Sequence, residues 1–372
     1  MLSELTQNNF LTPLIFALLF QFLFFFALFA RLAFYKKKKQ PLATSQGVSV
    51  IICAKNEEEN LRKFLNSFLG QDYPEFEVVV VDDQSEDGTF DFLQEKAKQN
   101  NHLKIVTVSE HIKDHIGKKL ALTLGIRKAK FDLVLLSDAD CKPNSNQWLS
   151  KMVANISTEK YIVLGYSPYQ WKNSVLNLLI QFDTFYTAIQ YFSFSLAGMT
   201  YMGVGRNLAY KKELFFRTGF ASHLHVPYGD DDLFINENAN ETNVAIEIDK
   251  DSFVYSVPHT KFSKWFKQKK RHLKGGIEYK KSHRFWLSAV WTSYFVFFVL
   301  FGASLIVDHS SIITWAIFAL RSIAAMLVYS FVAAKLNQRK LIWFMPLLEI
   351  IYILIILPFF GFIASFSNKK YW

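Results

Sequence analysis

The stretch Val48-Ser-Val-Ile-Ile-Cys-Ala-Lys-Asn-Glu-Glu-Glu-Asn-Leu61 decides how this chain folds. Its first seven residues form a short, nearly continuous apolar run, the pattern of a strand buried on both faces. Asn56 with Glu59 three residues later reads as a capping box, and Leu61, Phe64, Leu65 and Phe68 then recur at helical spacing. The alternation continues down the chain. Glu77–Val81 reads as a strand, Phe90–Lys98 as a helix, Leu103–Val108 as a strand, Lys118–Ala129 as a helix and Asp132–Leu136 as a strand. This order predicts an α/β domain whose mostly parallel sheet is covered on both faces. In such sheets the ligand sits beyond the carboxyl ends of the strands, where Asp82, Asp83, Asp138 and Asp140 fall.

On either side of this domain the composition changes. Phe10–Ala30 holds 21 residues without a charge and Phe285–Val307 holds 23. Residues 312–334 are interrupted only by Arg321, and 341–366 only by Glu349. Each run is long enough for one membrane crossing. The expected organisation is an N-terminal anchor over 10–35, a globular domain over 46–284 and a membrane region over 285–366 with about three hydrophobic segments. No basic residue precedes the first run and its Lys block follows it, so an anchor is expected rather than a cleaved signal peptide.

Of 372 residues, 51% are hydrophobic and 20% charged, which excludes a disordered chain and a collagen-like repeat. The net charge of +10 is local: residues 36–39 are four Lys, and 261–284 carry ten basic side chains against one Glu. The remainder is slightly acidic, so a uniformly basic nucleic-acid binder is excluded. The basic flanks place the globular domain in the cytoplasm by the positive-inside rule. The two cysteines, Cys53 and Cys141, rule out a disulfide scaffold, and the nine His show no zinc-ligand clustering.

Asp138 and Asp140 carry the sharpest chemistry. Two carboxylates one residue apart point the same way in an extended segment. That arrangement suits a hard divalent cation, Mg²⁺ or Mn²⁺, which can in turn hold a diphosphate. The alternative is a turn in which Asp side chains bond their own backbone.

Val48–Leu61 resembles the opening strand and helix of the family-2 glycosyltransferases. Val81-Asp-Asp-Gln-Ser-Glu-Asp-Gly-Thr89 resembles the second motif of that family, Gly117-Lys-Lys-Leu-Ala121 its Gly-Lys-x-x-Ala segment and Ser137-Asp-Ala-Asp140 its D-x-D. Gly229-Asp-Asp-Asp-Leu-Phe234 is similar to the acidic motif that carries the catalytic base. Gln268-Lys-Lys-Arg-His272 is similar to Q-x-x-R-W, with His in the place of Trp. The resemblance covers about 48–272. It implies a GT-A fold, a nucleotide-sugar donor that is UDP- or GDP-linked, a divalent metal, and inversion at the anomeric carbon.

The same resemblance implies roles. Asp230 aligns with the base and Asp231 is second. Asp140 would hold the metal, with Asp138 either beside it or reaching the ribose. Ala54, Asn56, Glu57, Asp82, Asp83, Lys118, Gln268 and Arg271 would bind the donor. His272 would stand at the acceptor site, an inference weakened by the exchange from Trp.

The expected acceptor is a lipid or a lipid-linked glycan, added to once rather than processively. A processive polysaccharide synthase, a sugar-phosphate nucleotidyltransferase and an inactive membrane scaffold are the alternatives. Asn173–Met199, charged only at Asp183, reads as an amphipathic segment near the bilayer rather than a fifth crossing. Phe262, Trp265, Phe266 and Leu273 would share one helix face suited to the membrane interface. Gly203-Val-Gly-Arg-Asn-Leu208 lacks the third Gly of a dinucleotide fingerprint and reads as a turn over the acceptor site. Arg321 and Glu349, deep in their runs, are expected to pair.

Overall fold

The computed structural model describes residues 9–37, 46–109, 118–223, 226 and 228–366. Its elements follow the sequence alternation. β1 (Val48–Ala54), β2 (Phe76–Asp82), β3 (Leu103–Thr107) and β4 (Leu133–Asp138) pair in parallel in the order β3-β2-β1-β4. The helices α2 (Glu58–Leu69), α3 (Thr89–Gln99) and α4 (Lys118–Lys128) lie between them in the chain. The sheet is then extended by β7 (Leu208–Lys211), antiparallel to β4, followed by β6 (Ile162–Gly165) and β8 (Val244–Glu247), giving seven strands in all. The short strands β5 (Cys141–Pro143) and β9 (Val254–Ser256) pair separately, directly after the D-x-D.

The strands are apolar on both faces because each face has its own core. Val48, Val50 and Ile52 of β1 and Val78 and Val80 of β2 pack with Leu61, Leu65 and Phe68 of α2, Leu93 of α3 and Trp148 of α5 (Trp148–Val153). Ile51, Val79 and Val81 point the other way, toward Ala121, Leu122 and Ile126 of α4. The approach is close: a Cβ at Gly125 would lie 2.7 Å from Ile51 and 2.8 Å from Val81, so only glycine fits there.

Four helices have the length and apolarity to cross a membrane: α1 (Leu11–Ala33), α10 (Lys281–Val307), α11 (Ile312–Lys335) and α12 (Met345–Phe362). α1 contains a π-helical stretch, Leu23–Phe29. Arg321 of α11 pairs with Glu349 of α12, as their depths in the two runs predict. The pair is part of a larger network. Arg321 Nε donates to Gln21 Oε1 at 2.7 Å, Tyr329 donates to Glu349 Oε1 at 2.7 Å, and the Gln21 amide donates to the Ser293 carbonyl at 3.0 Å. All four helices therefore contribute to one buried polar cluster, where each charge has a partner.

Two expectations change. The 22-residue helix α6 (Val175–Leu196) is not amphipathic; Phe182, Phe185, Ala188, Ile189, Tyr191 and Phe192 are all buried. It is sandwiched between the sheet at β8 and the long apolar helices, so apolar residues are needed around its circumference. The short helices α7 (Lys212–Thr218) and α8 (Asp232–Asn238) precede the helix of the basic stretch, α9 (Phe262–Ile277), and the apolar face of α9 also meets protein. Trp265 is buried against Phe360, and Phe266 meets Phe359 edge-on and Phe360 at a tilt.

Asp183 is where α6, α9 and α12 meet. The ammonium of Lys269 and the hydroxyl of Tyr352 both donate to Asp183, and they lie 2.9 Å from each other. The helix bearing Gln268, Arg271 and His272 is thereby fastened to the bundle of apolar helices through a shared carboxylate.

Candidate active site

The register of the three central strands builds the site. Asp82 lies opposite Ala54, and Asp138 opposite Cys53, so the ends of β2, β1 and β4 form one edge. Both Asp82 and Asp83 are buried there, and Asp82 Oδ1 has no hydrogen-bond partner. A buried acceptor left open is a costly feature that a donor group from a ligand satisfies.

Asn56 sits at φ +55, and its Oδ1 accepts from the Glu86 amide at 2.8 Å. This corrects the capping-box reading. α2 begins at Glu58 with no side-chain cap, and Asn56 instead laces the β1–α2 turn to the loop after β2. Its own amide donates to Ser85 at 2.9 Å, and the Glu57 amide to Thr89 at 2.9 Å. Burial raises the pKa of Glu57 above the usual carboxylate value, and the charges of Asp140 and Asp138 add to this.

Lys118 opens α4 and pairs with Asp138; its ammonium is also 3.9 Å from Asp230 Oδ2. Burial opposes the charge on Lys118, but Asp138 and Asp230 outweigh it and hold the ammonium well above its ordinary pKa. Lys119 donates to the Val226 carbonyl at 2.8 Å, tying α4 to the segment ahead of the acidic motif. Gly117, the first residue of the Gly-Lys-x-x-Ala segment, lies outside the described residues.

Asp230, Asp231 and Asp232 are not equivalent. Asp231 caps α8: its Oδ1 accepts from the Asp232 amide at 2.8 Å and its Oδ2 from the Gly205 amide at 2.6 Å. Asp232 accepts from the Tyr279 hydroxyl at 2.8 Å. Burial, with the neighbouring Asp230 charge, pushes Asp231 up to about 7. Burial likewise pushes Asp232 up to about 6. Asp230 is the member of the trio that stands toward Lys118 and hence toward Asp138.

Asp140 accepts from the Ser256 hydroxyl at 3.1 Å. Burial first and the Asp138 charge second raise its pKa. A bound divalent cation relieves this repulsion, so the two carboxylates fit such an ion chemically. Among the described residues no group of three or more His, Cys, Asp or Glu gathers to hold a metal. An ion on this pair would therefore draw its remaining oxygens from a diphosphate and water.

Arg206, in the Gly203–Leu208 turn, was not among the expected site residues. Its guanidinium lies 4.4 Å from the Tyr169 ring centroid and donates to the Ser167 carbonyl at 3.1 Å, while its Nη1 is buried without a partner. Its charge acts on both Asp138 and Asp140. The only sequence signal was a lone Arg between glycine and asparagine in a turn. Gln268 lies behind it, with Nε2 donating to the Tyr169 hydroxyl at 3.1 Å. Arg271 and His272 are solvent-accessible on the same helix, and the Arg271 charge helps keep Asp138 ionised.

Comparison with known proteins bears on the fold. Residues 49–217 match the family model described as Glycosyl transferase family 2. Glycosyltransferase AglE of Haloferax volcanii is 37% identical over 112 residues, 30% of this chain and 35% of that protein. The 4,4'-diaponeurosporenoate glycosyltransferase of Staphylococcus haemolyticus is 33% identical over 151 residues, 38% of this chain and 39% of that one. These matches thus span little more than a third of either relative's length. Mannosyltransferase PcManGT from Pyrobaculum calidifontis, solved in complex with GDP-Man and Mn²⁺, superposes with a TM-score of 0.57 at 19% identity. That likeness covers 91% of this chain and 96% of that one. The chain therefore has a GT-A-like α/β fold whose residues 49–217 are similar to the glycosyl transferase family 2 domain.

Proposed function

We propose that this chain is an inverting glycosyltransferase that moves a sugar from a nucleoside-diphosphate donor to a lipid or lipid-linked glycan at the cytoplasmic face of a membrane. The observation that carries the reading is Lys118 set between Asp138 and Asp230. It brings the strand-end carboxylates of a donor site within one side chain of a candidate base.

In this reading the acceptor hydroxyl attacks the anomeric carbon and its proton passes to the Asp230 carboxylate. The bond from that carbon to the diphosphate oxygen breaks, and the electron pair leaves with the nucleoside diphosphate. Lys118, Arg206 and Arg271 offset the negative charge that develops on the leaving group. A Mg²⁺ or Mn²⁺ ion on Asp140 and Asp138 would supply further charge neutralisation at the diphosphate. Asp82, Asp83, Ala54, Asn56 and Glu57 would line the nucleoside end. Asp231 and Asp232, both engaged with their surroundings, would shape the loop that presents Asp230. The continuity of one core from α4 through α6 to the apolar helices supports a membrane acceptor.

Purified protein incubated with UDP- and GDP-sugars, Mn²⁺ and membrane lipid tests the reading. Nucleoside diphosphate released with a glycosylated lipid is the expected result. Inorganic diphosphate consumption or release with sugar-nucleotide exchange would instead indicate a nucleotidyltransferase, and no turnover a scaffold. The number of sugars per product separates single addition from processive synthesis.

A further inference from the structure

The turn that joins α11 to α12, with its short 3-10 helix Arg339–Leu341, faces the segment that leads from Tyr169 into α6. Between them is an open cleft of about 800 Å³. Trp171, Lys172 and Val175 line one side, and Arg339, Lys340 and Trp343 the other.

The position of the cleft sets what surrounds it. α11 ends at Lys335 and α12 begins at Met345, and both are span-type helices, so the turn lies at the end of the apolar thickness. That is the level of lipid headgroups, where Trp and basic side chains concentrate. Trp343 is 87% exposed and Val175 77%. Such apolar exposure beside cations is unfavourable in water and favourable at a headgroup layer. Leu347, one turn beyond Trp343 and in the first turn of α12, is also exposed, so the apolar surface continues from the cleft along the helix.

The charge is unbalanced. Among the described residues none of Lys172, Arg339 and Lys340 forms an ion pair with a carboxylate, and the Lys340 ammonium lies 5.6 Å from the Trp171 ring centroid. Three cations converging on one cleft with apolar walls call for a ligand that is an anion at one end and apolar at the other. A phosphate diester meets the first need, since Arg offers it a two-pronged donor and Lys a point charge.

We propose that this cleft binds the phosphate headgroup of an anionic membrane lipid, in the leaflet facing the globular domain. The phosphate sits among Lys172, Arg339 and Lys340, and an acyl chain runs over Val175 and Trp343. The site lies close to the catalytic cleft along the chain. Tyr169, two residues before Trp171, touches both Arg206 and Gln268. A lipid held here stands beside the wall of the donor site. Its use in transfer rests on the transferase reading; its binding does not.

The test uses the full chain in detergent micelles, titrated with dioctanoyl phosphatidylglycerol and followed by native mass spectrometry. Dioctanoyl phosphatidylcholine and inorganic phosphate are the comparison ligands. Arg339 and Lys340 are exposed, so the double variant R339E/K340E should leave the core intact. The expected result is saturable phosphatidylglycerol binding that weakens about thirty-fold in R339E/K340E, given the attraction of each basic group to an anionic surface. Lys98→Glu, on α3 away from the membrane helices, should bind as wild type. Trp343→Ala should weaken the lipid without changing the melting temperature. Equal binding by wild type and R339E/K340E, equal binding of phosphatidylcholine, or displacement of the lipid by equimolar inorganic phosphate would overturn the proposal. Nucleotide-sugar turnover measured on the same samples keeps the two readings apart. Lipid binding without turnover counts against the transferase, and turnover without lipid binding counts against this site.

Discussion

Lys118 stands 3.9 Å from Asp230 while it is paired with Asp138 at the end of β4. One ammonium thus joins the strand-end acids to the acidic motif ahead of α8, two segments about 90 residues apart in sequence. Lys118→Met should leave two acids facing each other without their cation. Turnover should fall by about 10²–10³-fold, the usual effect of removing a preorganised group that stabilises transition-state charge. The check is kcat on purified protein, with donor affinity measured separately by calorimetry.

Asp230→Asn should abolish transfer and leave nucleotide binding largely intact, because the base acts on the acceptor. Asp231→Ala should act differently. It removes the cap of α8 and the acceptor for the Gly205 amide, so thermal stability should drop by about 1–2 kcal/mol. Near-normal turnover in Asp230→Asn, with loss in Asp231→Asn, would move the base by one residue.

Stability should also carry a pH signature at Asp231. Its folded pKa is pushed up to about 7, chiefly by burial, whereas an unfolded Asp titrates near 3.8. Between these values the folded state binds the extra proton, so this group's contribution falls as pH rises from about 4 to 7. Asp231→Asn should flatten that part of the profile. Melting temperatures at pH 5 and 7.5 for both proteins provide the check, and parallel profiles would contradict the assignment.

Asp140→Ala should remove the metal-dependent part of nucleotide affinity, measured with and without Mn²⁺. Wild-type activity that survives thorough chelation would remove the metal role of Asp138 and Asp140.

Arg321→Ala and Glu349→Ala should each destabilise the protein by about 3–5 kcal/mol, because each leaves a buried charge without its partner. The double variant should cost clearly less than the sum. Unfolding in detergent and in bilayers measures the cycle, and strict additivity would contradict the coupling.

The parts of the fold that were legible in the sequence are those set by local pattern. The apolar run Val48–Ala54 is β1, and four long charge-poor stretches contain the four membrane-type helices. The pairing of Arg321 with Glu349 followed from depth alone, since an isolated charge in an apolar run needs a partner. Features that depend on distant neighbours were not legible. Asn56 has the residue type of a helix cap, but the loop after β2 takes its side chain. Asn173–Met199 has few charges, and nothing local distinguishes a helix at the bilayer surface from one buried between sheet and bundle. Arg206 carries no motif of its own. It enters the site because β7 runs antiparallel beside β4, which brings the turn before Leu208 to the strand ends that bear the D-x-D.

If Asp230 is the base for sugar transfer to a membrane lipid, its loss should be visible in the lipids themselves. Mass spectrometry of lipids from membranes containing the wild-type chain or Asp230→Asn, at matched expression, tests it most directly. The expected result is a lipid species heavier by one sugar residue, present with wild type and absent with the variant. Identical lipid profiles in the two membranes, with donor supplied to both, would contradict it.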